Sequence, residues 1–152
     1  LPEPAISEQT AIVPGIDGQK MSKSYDNTIP IFMEGTQLKK RVMAIETDAT
    51  PVEDPKDPET CNLYQILQLF ASEQRLKEIH DLYVNGGAAY GYLKLELLEL
   101  INDYYSAARA RKAELLADSE ELRNILRKGA EKARAKAAPT LDLVRDRVGL
   151  KY

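Results

Sequence analysis

Seven of the eight prolines fall within the first 58 residues, and after Pro58 the chain reaches Pro139 without meeting another. Proline lacks an amide donor and collides with the preceding helical turn. Long regular helix is therefore excluded from the first third of the sequence and open to the rest. The turn signals Pro14-Gly15 and Asp17-Gly18 lie in the same third, and they break it further. Downstream, the apolar residues recur at helical spacing. This division predicts a mainly α chain, a helical bundle preceded by a short strand and an exposed loop.

Six helical segments are expected. Thr36 can cap one that aligns Leu38, Val42 and Ile45. Asp57-Pro58 offers a cap with proline at the first helical position, ahead of the stripe Leu63, Ile66, Leu67 and Phe70. Ser72 opens the next, with Leu76, Ile79 and Tyr83 on one face and Asn85-Gly86-Gly87 as its stop. A longer helix, roughly 92–116, carries Leu93, Leu97, Leu100, Ile101, Tyr104, Ala108 and Leu115. Asp118, three residues ahead of Glu121, caps a helix bearing Leu122, Ile125, Leu126, Ala130 and Ala133. Pro139 starts the last, with Leu141, Val144 and Val148 aligned and Gly149 ending it. Before all of these, Ala11-Ile12-Val13 is a short apolar run compatible with the final strand of a sheet. One strand cannot make a sheet. With an opening of Leu1-Pro2-Glu3-Pro4 rather than Met, this suggests the interior of a longer protein.

Composition removes several classes. No apolar run approaches the roughly 20 residues that span a bilayer, and no basic-then-apolar secretion signal opens the chain. A cytoplasmic location fits. Cys61 is the only cysteine and His80 the only histidine, so no intrachain disulfide and no structural zinc site can be assembled from them. Asp48, Glu53, Asp54 and Asp57 lack the glycine-turned spacing of a calcium loop and read as a solvated acidic linker; no metal site is expected. The net charge of −3 is unevenly spread: −8 over residues 1–103 and +5 over residues 104–152. The basic third is either a polyanion-facing surface or a solvated helical face.

The segment that can do chemistry is Gly15-Ile16-Asp17-Gly18-Gln19-Lys20-Met21-Ser22-Lys23-Ser24. Two lysines three residues apart on a glycine-preceded loop bring two ammonium groups within reach of one anion. Ser22 and Ser24 add hydroxyl donors, and irregular backbone adds unpaired amides. Lysine, a compact point charge on a flexible stem, can follow a phosphate that moves. A surface loop rich in Lys and Ser is also common, so the residues alone leave phosphate binding and plain solvation both open.

Lys20-Met21-Ser22-Lys23-Ser24 resembles the KMSKS signature of class I aminoacyl-tRNA synthetases. Five fixed residues match by chance in on the order of one in ten thousand chains of this size. Val13-Pro14-Gly15-Ile16-Asp17-Gly18-Gln19 before it and Tyr25-Asp26-Asn27-Thr28-Ile29 after it are similar to bacterial tryptophanyl-tRNA synthetases. So are Thr47-Asp48, Pro55-Lys56-Asp57-Pro58, Tyr90-Gly91-Tyr92-Leu93-Lys94 and Ala108-Arg109-Ala110-Arg111. The resemblance covers essentially the whole chain and matches the C-terminal portion of such an enzyme.

That resemblance implies a tryptophan–tRNA ligase that uses ATP and Mg²⁺ to make tryptophanyl-adenylate and then charges tRNA(Trp), acting as a homodimer. It implies that residues 1–35 are the edge of a Rossmann-type catalytic domain with its KMSKS loop, and residues 36–152 a helical anticodon-recognition domain. Lys23 and then Lys20 would meet the charge that develops on departing pyrophosphate. Met21, Ser22 and Ser24 would position phosphate and adenine, with main chain at Ala11 near the adenine edge. Arg109, Arg111, Lys112, Arg123 and Arg127 would face tRNA. The family's second ATP signature needs two histidines in a glycine-containing turn, and no tryptophan pocket can be assigned. The chain therefore reads as part of an enzyme, inactive by itself. A non-catalytic helical RNA-binding or interaction module is the alternative from another class, and a tyrosyl-tRNA synthetase the near rival. His80 is expected to be a half-exposed helix residue, Cys61 a small buried one, and Tyr104 a packed one.

Overall fold

The computed structural model describes residues 2–6 and 12–150. Among these, a 3₁₀ turn at Lys23–Tyr25 precedes five α-helices: α1 (Gly35–Met43), α2 (Asn62–Leu67), α3 (Glu73–Asn85), α4 (Tyr90–Ala117) and α5 (Ser119–Arg147). The chain forms two compact units, Leu1–Ser106 and Ala107–Tyr152. The mainly α expectation holds. No helix among the described residues is long and apolar enough to cross a membrane.

The core belongs to the first unit. Leu38, Val42 and Ile45, Leu63, Ile66 and Leu67, Ile79 and Tyr83, and Leu93, Leu97 and Ile101 are each 3% exposed or less. They are the aligned positions of α1 to α4, so helical periodicity converts directly into buried surface. Removing one such leucine side chain costs on the order of 2–5 kcal/mol. Phe70, beyond the end of α2, is only partly buried against this core. Tyr104 departs from expectation: it is 67% exposed, with its ring edge-on to Phe70 at 5.5 Å.

Local chemistry sets several helix ends, but not the start of α1: the expected cap Thr36 lies inside its first turn, and the N-cap Glu34 makes no side-chain hydrogen bond. The Ser72 hydroxyl accepts from the Arg75 amide at 3.3 Å, and the Asp118 carboxylate accepts from Glu120 and Glu121 at 3.1 and 3.0 Å. Both satisfy amides that the first turn leaves open. α5 ends on Gly149 at φ 73°, with Leu150 N–H donating to Arg145 O at 2.8 Å and Gly149 N–H to Asp146 O at 3.3 Å. That is the paired 6→1, 5→2 closure.

Four further expectations need correction. The helix expected from Asp57-Pro58 begins at Asn62. The Asp57 carboxylate instead accepts from the Glu59 amide at 2.9 Å and the Thr60 hydroxyl at 3.1 Å, which closes a non-helical turn. Pro139 does not open a sixth helix; it lies inside continuous α5. There it leaves the Ala135 carbonyl without its usual partner, tolerable because both residues are exposed to water. The apolar stripe of α5 is not buried: no residue of that helix is. The expected strand is absent among the described residues. Ala11 lies outside them, Ile12 and Val13 are irregular, and only an isolated antiparallel bridge joins Pro14 to Lys20.

The Pro-rich linker is more organised than an open acidic loop. The Lys56 side chain is buried at 7% exposure. Its ammonium donates to Pro51 O and to Asp54 O at 3.2 Å, and sits 5.4 Å from the Tyr90 ring centroid. The surrounding Glu53, Asp54 and Asp57 remain exposed.

Candidate functional site

The twin-lysine loop is built around one amide side chain. Asn27, 1% exposed, donates through Nδ2 to Asp17 Oδ1 at 2.8 Å and Lys20 O at 3.2 Å. Its Oδ1 accepts from the Ser22 amide at 2.7 Å. One residue thus ties both limbs of the loop to each other. Main-chain bonds close the base: Gly15 N–H to Gln19 O at 2.7 Å, Ile16 N–H to Asn27 O at 2.9 Å and Met21 N–H to Val13 O at 2.8 Å. Gly15 is required by space, since a Cβ there would stand 2.4 Å from the Asn27 amide and 2.7 Å from its carbonyl.

Two helices hold this loop from outside. From α1, Arg41 donates through Nε to Thr28 O at 2.8 Å and pairs with the Asp26 carboxylate at 2.7 Å, while also reaching Asp26 O. Asp26 itself sits in the left-handed region at φ 49°, capping the 3₁₀ turn. From α2, Asn62 Nδ2 donates to Gly15 O at 3.0 Å and Ile16 O at 3.1 Å. The Glu46 amide, just past α1, adds a 2.7 Å bond to Ile16 O.

The cations themselves are left free. Lys20 and Lys23 are exposed, and among the described residues neither has a carboxylate within ion-pair distance. Asp17, the one carboxylate between them and Gly15, is occupied by Asn27 and by the Gln19 amide at 3.1 Å. The Ser22 hydroxyl accepts from the Ser24 amide at 3.2 Å, which leaves its own proton available to a ligand oxygen. Met21 is half-buried and lines an apolar cavity of about 300 Å³ with Val13, Ile29, Phe70, Ile101 and Tyr104. The arrangement is a pinned base carrying two mobile positive charges, which suits a polyphosphate. Ala11, the expected adenine contact, lies outside the described residues.

The expected RNA-facing residues do not form one free patch. Arg109 is buried at 9% exposure. Arg111 is paired with Glu114 at 3.0 Å and lies 3.9 Å from Glu121. Arg123 is paired with Glu120 at 2.7 Å, and Arg127 donates to Asn124 at 3.1 Å. Lys112 is exposed. His80 is a half-exposed helix residue, edge-on to Tyr64 at 6.3 Å. Cys61 is buried, its Sγ 3.3 Å from the Tyr83 hydroxyl. Burial pushes the Tyr83 phenol well above its ordinary range, and burial with the Asp48 hydrogen bond does the same for Tyr90.

Asn27, Arg41 and Asn62 were not singled out from the sequence. Asn27 lies three residues beyond the signature, with no local cue to its role. The Asn62 contacts close over separations of 46 and 47 residues, beyond any short-range pattern.

No family model matches the chain. It is 45% identical over 150 residues to the tryptophan–tRNA ligase of Campylobacter jejuni, covering 99% of this chain and 47% of that protein. With the ligase of Rhodopirellula baltica the identity is 43% over 151 residues, covering 99% of this chain and 47% of the relative. With that of Pseudomonas aeruginosa it is 40% over 151 residues, covering 99% and 34%. The crystal structure of tryptophanyl-tRNA synthetase from Campylobacter jejuni complexed with ADP and tryptophan superimposes with a TM-score of 0.84 at 44% identity, covering 96% of this chain and 46% of that one. The chain is thus homologous, throughout, to the C-terminal portion of tryptophan–tRNA ligases, and it spans about half the length of the Campylobacter relatives it matches.

Proposed function

We propose that this chain is the loop-bearing and RNA-facing portion of an ATP-dependent tryptophan–tRNA ligase. The observation that carries the proposal is the pair of exposed, unpaired ammonium groups at Lys20 and Lys23 on a loop fixed at its base. In this reading residues 1–35 complete the catalytic domain and residues 36–152 form the helical tRNA-recognising domain. The parent protein works in the cytoplasm as a homodimer, with Mg²⁺ entering on ATP as part of the substrate. The tryptophan pocket lies outside this chain.

The chemistry follows from charge placement. The amino-acid carboxylate attacks the α-phosphorus of ATP, and the bond to the bridging oxygen breaks. Negative charge then builds on the departing pyrophosphate. A cation that meets that charge fully only in the transition state lowers the barrier, whereas one that binds ATP and transition state equally lowers only KM. Lys23 is the first residue for this role and Lys20 the second. Their long stems let them track the leaving group while Asn27, Arg41 and Asn62 hold the loop's base still. The Ser22 and Ser24 hydroxyls and the backbone around Met21 orient the phosphates and adenine.

The test is amino-acid-dependent ATP–pyrophosphate exchange by the complete protein that contains this chain. Exchange driven by tryptophan, and not by tyrosine, is expected. Exchange driven by tyrosine alone transfers the assignment to the tyrosine enzyme, and exchange with neither removes the ligase reading.

A further inference from the structure

We infer that Arg41 is the positioning residue for Lys23 alone: it fixes the turn that carries this lysine, while Asn27 fixes Lys20, so the two cations have separate supports. The catalytic consequence rests on the ligase reading; the division of supports rests on the geometry of the loop.

The carbonyls of the two lysines are held by different residues. Lys20 O accepts from the Asn27 side chain at 3.2 Å. Lys23 O accepts instead from the Asp26 amide at 3.3 Å, the bond that closes the 3₁₀ turn. That closure places Asp26 at φ 49°, and among the described residues it is the only non-glycine residue at positive φ. The left-handed region is costly for a residue with a Cβ. Such a residue persists where its surroundings over-determine it.

Arg41 is what over-determines Asp26. Its Nη2 donates to both the carboxylate, at 2.7 Å, and the main-chain oxygen of Asp26. Its Nε donates to Thr28 O at 2.8 Å. The Asp26 carboxylate is exposed, and an exposed ion pair by itself holds little. The two main-chain acceptors are therefore the anchor, and the carboxylate adds direction. A planar guanidinium fork can meet all three oxygens, where an ammonium could not hold the same geometry. The fork stands on a firm base, because Leu38 and Val42 of the same helix are fully buried in the core. Asn27 serves the other limb: its side chain bonds Asp17, Lys20 and Ser22, and none of the residues that Arg41 holds.

In the ligase reading Lys23 is the first cation to meet the departing pyrophosphate. A reacting geometry displaced by about 1 Å costs on the order of 10²-fold in rate. Arg41 acts through Lys23, so its loss should slow adenylate formation with little change in ATP affinity. Once Lys23 carries no charge, Arg41 should have little left to contribute.

The experiment is a double-mutant cycle on the complete protein, read as pre-steady-state tryptophanyl-adenylate formation. R41Q should lower the rate constant by about tenfold or more, with the apparent ATP affinity changed by less than about threefold. In a K23Q background the same substitution should cost less than about threefold, and in a K20Q background it should keep its full effect. A full effect in the K23Q background overturns the inference in favour of direct contact between Arg41 and substrate. An unchanged rate in R41Q overturns it as well. Asp26→Gly should lose less activity than Asp26→Ala, because glycine enters the left-handed region freely; the reverse order contradicts the role given to Asp26. Hydrogen exchange provides a readout that needs no reaction. In R41Q the Tyr25 and Asp26 amides should exchange faster while those of Met21 and Ser22 keep their wild-type rates. Equal acceleration of all four would mean a single shared support and overturn the inference. If tryptophan drives no adenylate formation in the wild type, the ligase reading falls, and the exchange pattern alone decides whether Arg41 holds the Lys23 turn.

Discussion

Asn27 shows how much a single amide can do. It makes three hydrogen bonds in a position closed to water, so alanine there leaves the Ser22 amide and the Asp17 carboxylate without their partner. A loss of roughly 1–3 kcal/mol is expected, seen as a lower thermal midpoint together with faster hydrogen exchange at Ser22. Gly15→Ala should destabilise through the same residue, because the new Cβ would overlap the Asn27 amide and carbonyl, and the carbonyl is backbone that cannot rotate away. Thermal melts of the two variants should agree in direction. Arg75 offers a different kind of test. It holds Glu96 through two bonds of 2.6 and 2.9 Å, and this keeps the Glu96 carboxyl below its ordinary value. Folding therefore favours the deprotonated form. The resulting stability is present above the unfolded value near 4.3 and disappears as pH falls through the lowered one. The pair is partly exposed, so its worth is up to about 1 kcal/mol. Arg75→Met should be less stable than wild type at neutral pH, and denaturant titrations should show the gap closing as pH falls below the unfolded glutamate value and through the lowered one.

At the scale of elements, legibility followed the range of the interaction. The caps at Ser72 and Asp118 and the stops at Gly86-Gly87 and Gly149 are chemistry within a few residues, and they stand where the sequence suggests. Asp57-Pro58 and Pro139 mislead because the same residue types serve two purposes. An Asp that can cap a helix can equally close a turn, and a Pro suited to a first helical position can ride inside a solvated helix. Proline in a helix interior is disfavoured by about 3 kcal/mol relative to alanine. Pro139→Ala should therefore strengthen α5 by an amount approaching that figure, read as slower hydrogen exchange from Thr140 to Arg147. Unchanged exchange there would mean that the continuous helix does not hold in solution. The loop's external supports were illegible for the opposite reason. Arg41 and Asn62 reach it only because α1 and α2 pack into one core, and no local pattern encodes that meeting.

Over the whole molecule, the buried hydrophobic core is confined to the first unit, while exposed cations occur in both. The core lies in Leu1–Ser106, where cations are either structural, as Lys56 in the linker and Arg41 beside the loop are, or, among the described residues, free, as Lys20 and Lys23 are. The basic stretch lies in Ala107–Tyr152, where α5 buries none of its residues. A chain assembled for packing alone has little use for exposed lysines on a carefully fixed loop. The signature, its flanks and the net charge division were all visible in the sequence; the pairing state of each cation was not, because it depends on which acids folding brings near. The central claim concerns Lys20 and Lys23, and the most direct measurement is pre-steady-state formation of aminoacyl-adenylate by the complete protein and its K20Q/K23Q variant. The account predicts a rate constant lowered by about 10²-fold or more, with a much smaller change in the apparent affinity for ATP. Adenylate formation at the wild-type rate after loss of both charges would contradict it.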